Sequence, residues 1–211
     1  MIDTLGDFGV ALNLVLEELA LPPVQPADVA RMVGKGSEHL LRSTLAHVQP
    51  RWDMAQIEAV FPQAMAAYQR HYLRINGRHS RVYDGVVAGL MALQGKGLPL
   101  VCLTNKPTAF ALPLLADKGL AGFFAHVFGG DAFERKKPDP LPLLRACEAL
   151  GTAPVHTLMV GDSVNDAQAA RAAGCPVVLV TYGYNHGQSV AEVGADGCLD
   201  TLAELVPHWV G

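Results

Sequence analysis

The chain has 211 residues, half of them hydrophobic and 17% charged, with a formal net charge of −4. That is ample apolar material for one large domain, or for a domain with a smaller companion. No run of Lys and Arg approaches a polybasic patch, which argues against nucleic acid and anionic membrane as partners. The longest apolar stretches, around Leu98–Leu103 and Val177–Val180, are too short to cross a bilayer, and the patterning predicts no signal peptide. Four cysteines (Cys102, Cys147, Cys175, Cys198) are widely spaced without a C-x-x-C pair, so neither structural zinc nor a redox dithiol is expected, and a reducing cytoplasm fits best.

Leu5, Phe8, Leu12, Val15, Leu16 and Leu19 recur at three- and four-residue steps and predict a first helix, stopped by Leu21-Pro22-Pro23. A second helix is expected from near Asp28. Val33-Gly34-Lys35-Gly36-Ser37 reads as a flexible turn before a helix over Glu38–Ala46, and a longer helix follows over Met54–Leu73. No strand pattern occurs in the first eighty residues, so residues 1–80 are expected to form a small helical bundle.

From Tyr83 the pattern alternates. Helix Val86–Gln94 leads to strand Pro99–Leu103, helix Ala109–Lys118, strand Val127–Phe128 and helix Leu141–Leu150. Strand Thr157–Val160, helix Asp166–Ala173, strand Val177–Val180 and a short strand near Gly197–Leu199 follow, before a last helix. Residues 81–211 therefore predict an α/β domain, a Rossmann-like parallel sheet with helices on both faces. Ligands of such sheets sit beyond the carboxyl ends of the strands. The polar clusters of this sequence fall there.

The first cluster is Thr104-Asn105-Lys106-Pro107, whose hydroxyl and backbone N–H groups suit phosphate oxygens, although Thr or Asn before a helix is also an ordinary cap. The second is Glu134-Arg135-Lys136-Lys137-Pro138-Asp139-Pro140. There Lys137 precedes a proline that biases its backbone to be extended, and its ammonium could neutralise a phosphoryl group; three consecutive cations otherwise read as a solvated loop. The third, Gly161-Asp162-Ser163-Val164-Asn165-Asp166, is the strongest. Asp162 is a candidate Mg²⁺ ligand, and Asp166, one helical turn on, could pair with Lys137 and keep it charged and aimed.

These three loops, in this order, resemble the haloacid-dehalogenase-like hydrolase superfamily, and the resemblance covers essentially the whole chain. Thr104-Asn105 looks like its second motif, Lys137-Pro138 its third, and Gly161-Asp162 through Asp166 its fourth. The run on to Gly174-Cys175-Pro176 and then Tyr182-Gly183-Tyr184-Asn185 is similar to bacterial phosphoglycolate phosphatases. The resemblance implies a Mg²⁺-dependent phosphatase of small phosphorylated metabolites, with 2-phosphoglycolate foremost, acting as a cytoplasmic monomer or homodimer. It implies a first-motif Asp that attacks phosphorus and a second Asp that serves as general acid and base. Asp162 would hold the metal, Thr104, Asn105 and Lys137 the phosphoryl oxygens, and the helical region a closing cap in which Lys35 meets a substrate carboxylate.

One part of the pattern is not matched. The family's first motif has the form D-x-D-G-T-L-[VI]-D, and Met1-Ile2-Asp3-Thr4 matches its tail alone. Asp3 corresponds to the final Asp, and Asp3 and Asp7 both read as helix-start acids that favour the macrodipole. On the resemblance, the nucleophile and the first core strand would precede Met1. That strand runs between those bearing the second and fourth motifs, and its loss would exceed the ~5–15 kcal/mol by which a domain is stable. The expectation is a misplaced start, with the chain as written inactive. The alternatives are a non-catalytic remnant that binds phosphate or a partner, and another superfamily member such as a sugar-phosphate phosphatase or phosphomutase.

Overall fold

A computed structural model describes residues 1–185 and 189–205. The chain divides into two compact units, one formed by Asp3–Arg81 and one by Met1–Ile2 with the chain from Val82 onward.

Within Asp3–Arg81, helices α1 (Leu5–Glu18), α2 (Pro26–Met32), α3 (Ser37–Val48) and α4 (Met54–Ile75) pack in a bundle. Helix α1 buries Leu12, Val15 and Leu16 of the stripe read from its periodicity, together with Ala11, while Leu5, Phe8 and Leu19 are half-buried. Helix α2 begins at Pro26, two residues before the expected start, because proline's fixed φ suits the first helical position and its missing N–H is not needed there. Helix α4 opens with a reciprocal capping box between Asp53 and Gln56 and buries Tyr68 and Tyr72, whose rings stack at 5.4 Å. The Asp7 carboxylate has no exposure and accepts the backbone N–H groups of Gly77 (2.8 Å) and His79 (2.7 Å). It fastens the start of α1 to the segment that follows α4.

The first eighty residues do contain a strand. β1 (Ile2–Asp3) pairs with β2 (Arg81–Val82) in a two-stranded sheet at the two points where the chain passes from one unit to the other. Two residues are too few for alternation to register, which is why the sequence reading missed both.

The α/β unit continues with α5 (Val86–Gly95), β3 (Val101–Leu103), α6 (Thr108–Asp117), β4 (His126–Phe128) and α7 (Leu141–Leu150). It goes on through β5 (Met159–Gly161), α8 (Val164–Ala173), β6 (Val177–Val180) and β7 (Gly197–Leu199). A short 3-10 turn over Leu202–Leu205 follows β7; the remainder of the expected last helix lies outside the described residues. All pairings beyond β1 and β2 are parallel. β3 runs beside β4 with Cys102 opposite Val127, and β5, β6 and β7 form a second ladder with Val160 opposite Val178 and Leu179 opposite Cys198. Among the described residues no ladder joins β3 to β5. Even so, Leu100 and Cys102 share an apolar cluster with Leu158 and Val160, to which Met1 and Ile2 also contribute. A second cluster, around Leu143, Ala169, Ala170, Val177 and Leu179, packs α7 and α8 on β6. The carboxyl ends of β3, β5 and β6 hand the chain to Thr104, Asp162 and Thr181.

Candidate active site

The turn between β5 and α8 is built around Asp166. Its Oδ2 accepts from the backbone N–H groups of Asp162 and Ser163, both at 3.1 Å, and from the Ser163 hydroxyl at 2.8 Å. A capping box between Ser163 and Asp166 opens the helix. Gly161 fits the same design, since a methyl there would collide with the Asp166 side chain. The other oxygen, Oδ1, accepts from Lys137 Nζ at 2.7 Å. Lys137 and Asp166 are only 8% and 4% exposed, so this is a buried charge pair and not a surface contact. Burial works against the Asp166 carboxylate, but the Lys137 ammonium beside it, with the Ser163 and Asp162 hydrogen bonds, holds it below the usual carboxylate range.

Lys137 is fixed from two more directions. Its ammonium donates to the Leu103 carbonyl at 2.9 Å, at the end of β3. Its own carbonyl accepts from Asn105 Nδ2 at 2.8 Å. The loop after β3 and the loop carrying Lys137 are thereby joined through both a side chain and a backbone. Thr104 Oγ1 accepts the Lys106 N–H at 3.1 Å, shaping the same loop. Asn105 thus commits its side-chain amide to the Lys137 loop, leaving its backbone as the part suited to an anion.

The Asp162 side chain, unlike its backbone N–H, stands apart from this network. Burial, with the nearby negative charge of Asp166, pushes its carboxyl up to about 6, and the Met1 amino group and the Lys137 ammonium offset this only in part. The hydrogen bond from the Tyr184 N–H to Asp162 Oδ2 is long at 3.4 Å. Burial lowers the pKa of the Met1 amino group, while the charges of Asp162 and Asp166 act in the opposite sense. A carboxylate so placed suits a hard divalent cation, whose charge would relieve both burial and the repulsion from Asp166. Among the described residues no group of three or more His, Cys, Asp or Glu is placed to cage a metal. One carboxylate still fits Mg²⁺, which is bound through one or two carboxylates with phosphate oxygens and waters making up the rest.

Of the six residues singled out in the sequence, Thr104, Asn105, Lys137, Asp162 and Asp166 therefore meet at strand ends of the α/β unit. Lys35 belongs to the other unit, exposed on the turn between Gly34 and Gly36, both with positive φ. Burial together with the Lys35 charge lowers the pKa of His39 nearby. The sequence reading gives no role to Ser163 as a partner of Asp166, and it names Asn185 only within the resemblance, not as the buried side chain that accepts the Val164 N–H at 2.8 Å. The signal for the second was the Gly183-Tyr184-Asn185 turn directly after a buried strand, a place where an amide side chain commonly satisfies a helix N-terminus.

The family model for haloacid dehalogenase-like hydrolases matches residues 6–174. A phosphoglycolate phosphatase of Thiobacillus denitrificans is 43% identical over 97% of this chain and 88% of its own length. One of Escherichia coli K12 is 35% identical over 98% of this chain and 87% of its own length. Among solved structures, a predicted phosphoglycolate phosphatase from Haemophilus somnus superposes with a TM-score of 0.91 at 29% identity, covering 99% of this chain and 92% of that one.

Proposed function

Since the chain belongs to the haloacid dehalogenase-like hydrolase family, we propose that its site is built to hydrolyse 2-phosphoglycolate to glycolate and phosphate. The observation that carries this reading is the buried Lys137–Asp166 pair, held next to Asp162 and to the Thr104 loop. In this reading the Thr104 hydroxyl and the backbone N–H groups of its loop hold the phosphoryl oxygens. Lys137, aimed by its hydrogen bond to Asp166, opposes the negative charge that builds on them in the transition state. Asp162 holds Mg²⁺, which supplies Lewis-acid polarisation of the phosphoryl group when bound. Asp166 is spent on four hydrogen bonds and cannot also attack phosphorus. Asp162 is reserved for the metal. In this reading both carboxylates serve to hold the metal and to place the lysine, and neither is the nucleophile. Turnover requires the D-x-D carboxylates that the family's first motif supplies. The segment Asp3–Arg81 acts as the cap, with Lys35 as the contact for the glycolate carboxylate.

The test is phosphate release from a panel of phosphomonoesters, including 2-phosphoglycolate and hexose phosphates, with Mg²⁺ present. It compares the 211-residue protein with one extended at its N-terminus by a D-x-D-G-T segment. The extended protein is expected to prefer 2-phosphoglycolate, and the shorter one to release none. Preference for a hexose phosphate would replace the substrate assignment, and turnover by the 211-residue protein would overturn the role given to the first motif.

A further inference from the structure

The segment Tyr182-Gly183-Tyr184-Asn185, which follows β6, has no part in the chemistry described so far. Yet it touches the Asp162 turn at three consecutive residues. Gly183 has φ +111°, a conformation that favours glycine, and a methyl group at this position would collide with Asp162 Oδ2. Tyr184 presents its N–H to the same oxygen. The Asn185 side chain, in a residue only 7% exposed, accepts the N–H of Val164, the first residue of α8. Consecutive N–H groups of the turn are therefore satisfied from two sides. Asp166 takes those of Asp162 and Ser163 from within the helix, and Asn185 takes that of Val164 from across the sheet.

We propose that this loop is a clamp that aims the Asp162 carboxylate, and that Asn185 is a positioning residue for the metal held there. The inference rests on the reading of Asp162 as the Mg²⁺ ligand. An ordinary helix cap would do less: its removal would lower the melting temperature without altering how tightly a metal binds. The clamp does more because the same three residues fix both the turn that carries Asp162 and the space into which its carboxylate could otherwise rotate. With Gly183 against Oδ2, the carboxylate is confined on one side; with Asn185 in place, the turn cannot tilt away from it.

The experiment measures Mn²⁺ affinity of the 211-residue protein in the presence of inorganic phosphate, from the electron paramagnetic resonance signal of free Mn²⁺. Asn185→Ala is expected to weaken binding about tenfold or more, the usual consequence of losing a group that orients a metal ligand. Asn185→Asp, which keeps a side-chain acceptor for Val164, is expected to stay within about twofold of wild type. Gly183→Ala is expected to weaken binding as Asn185→Ala does, and it decides the matter if Asn185→Ala does not fold by circular dichroism. Wild-type affinity in a folded Asn185→Ala or Gly183→Ala protein would overturn the clamp and leave the proposed function standing. Equal weakening by Ala and Asp at position 185 would also overturn it. A wild-type protein that binds no Mn²⁺ would overturn the clamp and the metal assignment together.

Discussion

Replacing Lys137 by Met keeps most of the side chain's volume and removes its charge. Two acceptors then lose their partner, Asp166 Oδ1 at 2.7 Å and the Leu103 carbonyl at 2.9 Å. Breaking one half of a buried ion pair costs about 3–5 kcal/mol, because the remaining charge is left uncompensated. Asp166 retains three donors on Oδ2, from Asp162, Ser163 and the Ser163 hydroxyl, so the lower end applies and about 3 kcal/mol is expected. Against a domain stability of ~5–15 kcal/mol, Lys137→Met should fold but unfold at clearly lower urea. Urea titration at neutral pH with EDTA present, followed by tryptophan fluorescence and circular dichroism, gives the difference. A double-mutant cycle with Asp166→Asn isolates the pairwise part, expected at about 2 kcal/mol, since the amide still accepts from the turn but no longer needs a cation. A loss below about 0.5 kcal/mol, the scale of an exposed pair, would mean that Lys137 and Asp166 do not form a buried charge pair in solution.

Asn105→Ala removes the bond to the Lys137 carbonyl while leaving the backbone of its loop intact; phosphate affinity by calorimetry should fall several-fold, with stability lowered by about 1 kcal/mol. Asp7→Ala leaves the Gly77 and His79 N–H groups without their charged acceptor and should destabilise the protein by about 3 kcal/mol in urea, whereas an exposed acid such as Asp117 replaced by Ala should change little. Asp131 has its pKa lowered by the Thr108 hydroxyl and backbone N–H that donate to it. A depressed carboxylate contributes stability that is complete above its unfolded value of 3.8 and is lost as pH falls through the folded value. Asp131→Ala should therefore narrow its stability difference from wild type as pH drops below that value, read from urea midpoints between neutral and acid pH. A difference that stays constant to the most acid pH would contradict the assignment.

The α/β alternation and the order of the polar loops were legible because each depends on local sequence. Strands β3, β5 and β6 are apolar runs, and their loops carry residues that stand out at strand ends. The pairing of Lys137 with Asp166 was legible too, since a lysine before a proline and an acid one turn into a helix have few other partners in such a site. Asp7 was misread for the opposite reason. In the first turn of α1 it looks like an acid complementing the helix dipole, yet its carboxylate is bonded to residues some seventy positions away, and nothing in its neighbours announces that. The tie that the Asn105 side chain makes between two loops was not legible, because sequence cannot say which of several nearby acceptors an amide will choose. Asn185 stood out only as part of the resemblance, and its role did not, because its partner, Val164, offers only a backbone N–H, which carries no side-chain signature.

The most direct test of the account is calorimetric titration of 2-phosphoglycolate with Mg²⁺ into the 211-residue protein and its Thr104→Val variant. One-site binding without phosphate release is expected, weakened about tenfold or more in the variant, as follows when a hydrogen bond to a charged ligand is lost. No binding, or binding unchanged by the loss of the Thr104 hydroxyl, would contradict the claim that these strand-end loops form a phosphoryl site.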